Sequence, residues 1–225
     1  MGNLLCRTPC CDPTVVNYWT RAEKFAEWAE QPAMADAAAD LRARLVAHLA
    51  SGTGRVLRIL DVGCGTGRDV VAFASDGHSA LGIEPCASFV RIARARHADV
   101  VQADAEALML DEESGECSLL AGVEAFDGIF CLASLFHVPR DRLPRVVAAL
   151  RAHLRPGGVL MTTFPCGEAA NARGPDGRWI TAMPLRQHEE LVRAAGFECV
   201  DTDERLAIYN GRWGTCFARR RETSE

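Results

Sequence analysis

Residues 58–70 read RILDVGCGTGRDV, and this stretch narrows the possible folds more than any other. Arg58 to Val62 has the composition of a short buried strand, Gly63, Gly65 and Gly67 interrupt it, and an apolar helix from Asp69 to Ala74 follows. Strand, glycine turn and helix in that order make an α/β unit. Missing Cβ atoms let the backbone turn sharply and come close to a ligand, and the helix start offers free N–H groups. A dinucleotide fingerprint from Gly63 and Gly65 requires a small residue at position 68, where this chain has Arg68. That disfavours the alternative of an NAD-dependent dehydrogenase.

Acidic residues end the next two strand-like runs. SALGIEP is a second strand, Ala80 to Ile83, ending in Glu84, where a carboxylate can accept hydrogen bonds from both hydroxyls of a ribose. A third strand ends near Gln102, with Asp104 at its tip. The pattern further predicts helices near 18–30 and 35–50, alternating strands and helices over 56–154, and a fifth strand GGVLMTTF after Pro156-Gly157. LRQHEELVRAAGF is an amphipathic helix stopped by Gly196, and two strand-like runs meet across Asn210-Gly211. The stretch PCGEAANARGPDGRWITAMP is too glycine-rich and polar for a regular element.

Taken in order, LDVGCGTGRD, GIEP, QADAEAL and FDGIFCLASLFHV resemble the successive motifs of class I S-adenosylmethionine (SAM) dependent methyltransferases, from about residue 56 to the C-terminus. The resemblance implies a Rossmann-like, seven-stranded, mostly parallel sheet with helices on both faces and a C-terminal antiparallel strand pair. It implies methyl transfer from SAM to a small-molecule acceptor by in-line displacement, with S-adenosylhomocysteine as product. By the same resemblance, Asp61 and the turn Gly63, Cys64, Gly65, Gly67 serve the methionine end of SAM, Glu84 the ribose, and Asp104 with the Ala105 N–H the adenine. Asp61 and Asp104 can equally be turn or cap residues.

NYWTRAEKFAEW resembles the aromatic lid helix of small-molecule methyltransferases, with Tyr18, Trp19 and Phe25 available to cover the sulfonium; core packing is the alternative for such a stripe. His137, just beyond the fourth strand, lies on the ligand side of an open α/β sheet and can take a proton from a hydroxyl or amine nucleophile, or hold a backbone carbonyl instead. Asp127, at the strand's other end, reads as structural. Glu168, Arg173, Arg178 and Trp179 fall where this family builds its acceptor pocket. The corresponding organisation is a flexible tail over 1–17 and one domain over 18–225. Within that domain come lid helices at 18–50, a SAM-binding core at 56–164, an acceptor loop at 165–184, and a C-terminal helix and strand pair at 185–225. Two other readings stay open: a SAM-binding regulator that transfers nothing, and a thiol or arsenic methyltransferase using Cys64, Cys86 and Cys166. Arsenic methyltransferases usually carry a further C-terminal region.

Composition restricts partners. With 225 residues, a net charge of −5 and no basic run longer than Arg219-Arg220-Arg221, the chain has no extended phosphate-binding stripe, so nucleic acid is not expected. CLAS replaces the segment that aligns a base amine in nucleobase methyltransferases, and no His or carboxylate cluster has metal-ligand spacing, so no metal is expected. The ten cysteines are scattered through predicted strands and turns without a cleavable signal, which fits a reducing, cytoplasmic setting. Membrane association is expected only if Gly2 is myristoylated and Cys6, with Cys10 or Cys11, palmitoylated. No feature of the sequence specifies an oligomeric state.

Overall fold

A computed structural model describes residues 12–49, 54–109, 117–167, 170–207 and 211–222. Gly2, Cys6, Cys10 and Cys11 lie outside the described residues. Three helices come first: α1 (Pro13–Thr20), α2 (Ala22–Ala29) and α3 (Pro32–Leu49). Helix α1 starts five residues before the expected position, because Asp12 accepts the Thr14 N–H at 2.7 Å and Pro13 occupies the first turn. The expected single helix over 18–30 is divided at Arg21, whose backbone leaves the helical region (φ −128°). Met34, Ala38, Leu41, Leu45 and Leu49 recur every three or four residues along α3 and form its buried stripe.

The sheet follows: β1 (Arg58–Val62), α4 (Arg68–Ser75), β2 (Ser79–Ile83), α5 (Ala87–Ala95), β3 (Val100–Val101), β4 (Phe126–Cys131), α6 (Leu143–His153), β5 (Leu154–Cys166), α7 (Leu185–Ala194), β8 (Phe197–Ala207) and β9 (Gly211–Arg220), with β6 (Asn171–Arg173) and β7 (Trp179–Thr181) inserted before α7. Seven strands lie in the order β3-β2-β1-β4-β5-β9-β8, parallel except for β9, which is antiparallel to both neighbours. This is the sheet implied by the resemblance. Its core alternates by strand period. Ile59 and Phe130 pack with Leu41, Leu45 and Phe73 on one face, whereas Leu60 and Ile129 pack with Val146, Leu150 and Val192 on the other. Phe73 meets Phe130 edge-on at 5.5 Å.

One expectation fails. The glycine-rich stretch after β5 contains a regular hairpin, β6 paired with β7 as a separate two-stranded sheet. Gly174 and Gly177 close its turn, with the Gly174 N–H donating to Arg178 O at 2.8 Å and Gly177 at φ +82°. The glycines that argued against an element make the turn that joins one. Strand order reverses between β1 and β4, and in such sheets ligands bind outside the carboxyl ends of the strands at that switch point.

Candidate active site

The glycine turn lies at this switch point. Gly63, Gly65 and Gly67 all adopt positive φ, and the Gly63 and Cys64 N–H groups donate to Ile83 O at 2.8 and 3.1 Å, tying the turn to the end of β2. The three glycines differ in what surrounds them. A Cβ at Gly63 would lie 2.4 Å from Ser134 Cβ, and one at Gly67 would lie 2.7 Å from Ala98 Cβ and 2.8 Å from Ala93 Cβ, so both are dictated by packing. At Gly65 a Cβ meets nothing within 4 Å, because this glycine faces open space.

That space is a cavity of about 1460 Å³, whose lining includes Asp61, Glu84 and Asp104 together with Tyr18, His137 and Arg178. Glu84 is held by two backbone donors, Gly65 N–H to Oε2 at 3.0 Å and Cys86 N–H to Oε1 at 2.8 Å. Burial pushes its carboxyl up to about 7, against the pull of those two N–H groups. Asp61 is buried and its Oδ2 has no partner among the described residues. Burial pushes Asp61 well above the ordinary carboxylate range, Asp69 reinforces the shift and Arg68 opposes it. Asp104 caps the short helical turn Ala105–Leu108, accepting the Ala107 N–H at 2.9 Å, while also lining the cavity with Ala105. Its cap and its place beside the cavity coexist.

Arg68, the residue that breaks the dinucleotide pattern, donates to Ala29 O at 2.7 Å and pairs with Asp69, which also pairs with Arg42 of α3. The start of α4 is thereby fastened to the helices over the site.

A network of side chains organises the remainder of the cavity. His137 sits in a short helical turn, Leu135–His137, after β4. Its Nδ1 is 2.6 Å from Trp179 O, an acceptor, so Nδ1 carries the hydrogen and Nε2 accepts the Tyr18 hydroxyl at 2.7 Å. Arg178 donates to the same hydroxyl at 3.1 Å and is oriented by Asp176 at 2.7 Å. Burial lowers His137 to about 4, partly offset by the Trp179 carbonyl, so the ring is neutral near pH 7. Tyr18 stacks at an angle on Phe25, centroids 4.5 Å apart, and on Phe89 at 5.7 Å. Further bonds join α1 to the hairpin: Trp179 N–H to Thr14 Oγ1 at 2.9 Å, Asn17 Nδ2 to Asp176 O at 2.9 Å, and Arg173 to Asp12 at 3.0 Å.

All the predicted cofactor residues except Gly67 border this one cavity, as do His137, Arg173, Arg178 and Trp179. Gly67 instead packs under α5. Trp19 points outward and is 59% exposed, whereas Tyr18, Phe25 and Trp28 of the same aromatic stretch line the cavity. Glu168 lies outside the described residues. Cys166 does not line the cavity; its Sγ sits against Gly214 of β9, away from Cys64 and Cys86, so the three thiols do not converge. Asp127 accepts the Arg58 N–H at 2.7 Å and pairs with Arg55 and Arg155 at the opposite end of β4, a structural position. Sequence reasoning missed Thr14, Asn17, Asp176 and Ser134. Ser134 Oγ is buried without a partner among the described residues, beside Gly63.

The chain belongs to the methyltransferase-domain family, whose model matches residues 25–202. It is similar to trans-aconitate 2-methyltransferase of Deinococcus radiodurans, 32% identical over 136 residues, covering 60% of this chain and 46% of that protein. It is also similar to O-methyltransferase resE of Aspergillus sclerotiorum, 31% identical over 163 residues, covering 69% and 59%. The chain thus spans about half the length of the curated relatives it matches. In fold it resembles the Burkholderia thailandensis 1,6-didemethyltoxoflavin-N1-methyltransferase, solved with 1,6-didemethyltoxoflavin and S-adenosylhomocysteine bound, at 22% identity and TM-score 0.70, covering 99% of this chain and 93% of that one. Among the described residues no helix is long and apolar enough to cross a membrane.

Proposed function

We propose that this chain is a SAM-dependent methyltransferase acting on a small-molecule acceptor. The observation that carries the reading is the pairing of an unpartnered, buried Asp61 oxygen with an open Gly65 face and an oriented Glu84 carboxylate around one cavity. These residues fit SAM: an ammonium would supply the partner that Asp61 Oδ2 lacks, and ribose hydroxyls would donate to Glu84, which still has free lone pairs. Gly65 leaves room for close approach of the ligand to the backbone. Asp104 Oδ2 and the Ala105 N–H are assigned to the adenine. When bound, SAM supplies an electrophilic methyl group. Names of the curated relatives, methyltransferases in each case, support the same reading.

The chain's own contribution is positioning and proton transfer. Helices α1–α3 act as the lid and 165–184 as the acceptor segment, joined by the bonds between α1 and the β6–β7 hairpin; residues 13–17, expected in the flexible tail, belong to the lid because Asp12, Thr14 and Asn17 are bonded to the hairpin. His137 is assigned as the proton acceptor, reached through Tyr18. A hydroxyl or amine acceptor donates its hydrogen bond to the Tyr18 oxygen; its proton passes to that oxygen as the Tyr18 proton passes to His137 Nε2. The Nδ1–H bond to Trp179 O holds the ring in the required tautomer. The test is calorimetric titration of wild-type protein with SAM, followed by screening small-molecule fractions for acceptor-dependent release of S-adenosylhomocysteine. Absence of SAM binding would refute the site. SAM binding with no acceptor-dependent release would favour a regulatory protein.

A further inference from the structure

Outside the cavity, two cysteines face each other beneath α7. Cys199 on β8 and Cys216 on β9 have their sulfurs 3.8 Å apart, with the Cys216 thiol donating to Cys199. Strand register explains the approach: Cys199 is opposite Ala218, two residues from Cys216 and so on the same face, and a bulge between Cys199 and Asp201 shifts the pairing locally. Their environments are unequal. Cys216 is fully buried in the core with Val192 and Phe197, whereas Cys199 is half-buried. Glu189, whose carbonyl lies 3.9 Å from the Cys199 sulfur, and Arg193, which pairs with Glu189 at 2.8 Å, belong to α7 above.

We propose that Cys199 and Cys216 form a two-thiol redox site that takes a peroxide and closes to a disulfide bridging β8 and β9. Cys199 is the attacked thiol. It is the more accessible of the two, and the Cys216 S–H with the Arg193 charge pulls it below the usual thiol range, while Cys216 itself is pushed well above it. The Cys199 thiolate attacks one peroxide oxygen, the O–O bond breaks and hydroxide leaves, giving the sulfenic acid. The Cys216 sulfur then attacks the Cys199 sulfur, the S–S bond forms, and the sulfenic oxygen departs as water with the Cys216 proton. The two thiols lose two electrons in all, and hydrogen peroxide is reduced to two waters. No ligand in the cavity is involved, so the site is independent of the proposed transferase activity.

The test uses the full chain, reduced, desalted, exposed to hydrogen peroxide, then unfolded in N-ethylmaleimide and digested with trypsin without reduction. The expected product joins peptide 194–205 to peptide 213–219 and is two hydrogens lighter than the separate pair, while the buried Cys64 and Cys131 are recovered alkylated. Recovery of both Cys199 and Cys216 as alkylated thiols, or of Cys199 as sulfinic acid with Cys216 free, would overturn the proposal. In a folded Cys216→Ala variant, dimedone should label Cys199 as the trapped sulfenic acid. An unlabelled Cys199 there would remove its role as the attacked thiol. If that variant does not fold, the peptide map of the wild-type chain decides alone.

Discussion

In the glycine-turn cluster of the cavity lining, Glu84 is gripped by N–H groups 19 and 2 residues away in sequence. In a second cluster of the same lining, Tyr18 meets His137 across 119 residues and Arg178 across 160, and Thr14 meets Trp179 across 165. The first is a backbone device that two neighbouring strands complete. The second exists only after α1 has docked on the β6–β7 hairpin. Contacts of the first kind are written within a short stretch of the chain, whereas those of the second kind are distributed along it. The two clusters are therefore expected to fail separately, one through the cofactor and the other through the acceptor chemistry.

The largest separation is expected among the glycines. Gly65→Val should keep the fold at a cost of about 1–2 kcal/mol for a side chain in the left-handed region, because no neighbour stands within 4 Å. Its SAM affinity should fall at least about 100-fold, or about 2.7 kcal/mol, since the branched side chain fills the ligand's place. Gly67→Val should instead lose stability, its Cβ colliding with Ala93 and Ala98. Thermal melts and calorimetry separate the two outcomes. Normal SAM binding by folded Gly65→Val would place the cofactor elsewhere.

Next comes the acceptor cluster. Tyr18→Phe and His137→Gln should each lower kcat by about 10²- to 10⁴-fold, the usual loss when a positioned base is removed, and both should leave SAM affinity unchanged. Equal losses support transfer through Tyr18. A loss confined to His137→Gln would mean that the acceptor meets the imidazole directly, and full kcat in both variants would make the pair a purely structural clamp.

Legibility follows the same division. Asp61, the three glycines, Glu84 and Asp104 stand out because strand ends and tight turns force particular residue types at short spacing, and the sheet order follows from the alternation of strands and helices. The hairpin was hidden because three-residue strands carry little periodicity and their turn glycines read as irregular chain. Thr14 and Asn17 could not be found: a buried hydroxyl or amide on α1 acquires its meaning from Trp179 and Asp176, which nothing nearby in the sequence announces. His137 was visible as a position, but its tautomer depended on Trp179 O, and that carbonyl belongs to the unseen hairpin.

A smaller effect is expected at Glu84. Glu84→Ala removes an acceptor for charge-assisted bonds and should weaken SAM by about 1.5–3 kcal/mol while leaving acceptor KM unchanged, keeping the loss at the glycine-turn cluster. Calorimetry on the variant checks it; unchanged affinity would withdraw the ribose assignment.

The smallest effect is also the most specific to the glycine-turn cluster, and it is a pH dependence. Burial lifts Glu84 to about 7 from an unfolded value of 4.5, so folding takes up a proton between those values. The sign is that of a raised group: its contribution to stability is complete below pH 4.5 and is lost as pH rises through about 7. Ribose hydroxyls donate, so they favour the ionised carboxylate, and SAM affinity must run the opposite way. If only the ionised form binds, the competent fraction rises about tenfold from pH 6 to pH 8 for a group that titrates near 7. Asp61, also raised, adds a dependence of the same sign, and comparison with Glu84→Gln isolates the Glu84 share. The ratio of wild-type to Glu84→Gln affinity should therefore climb close to tenfold across that interval. His137, lowered to about 4, stays neutral throughout and contributes nothing to it. A flat ratio would mean that the Gly65 and Cys86 N–H groups already hold Glu84 ionised at pH 6, and the backbone grip would then outweigh the burial that opposes it.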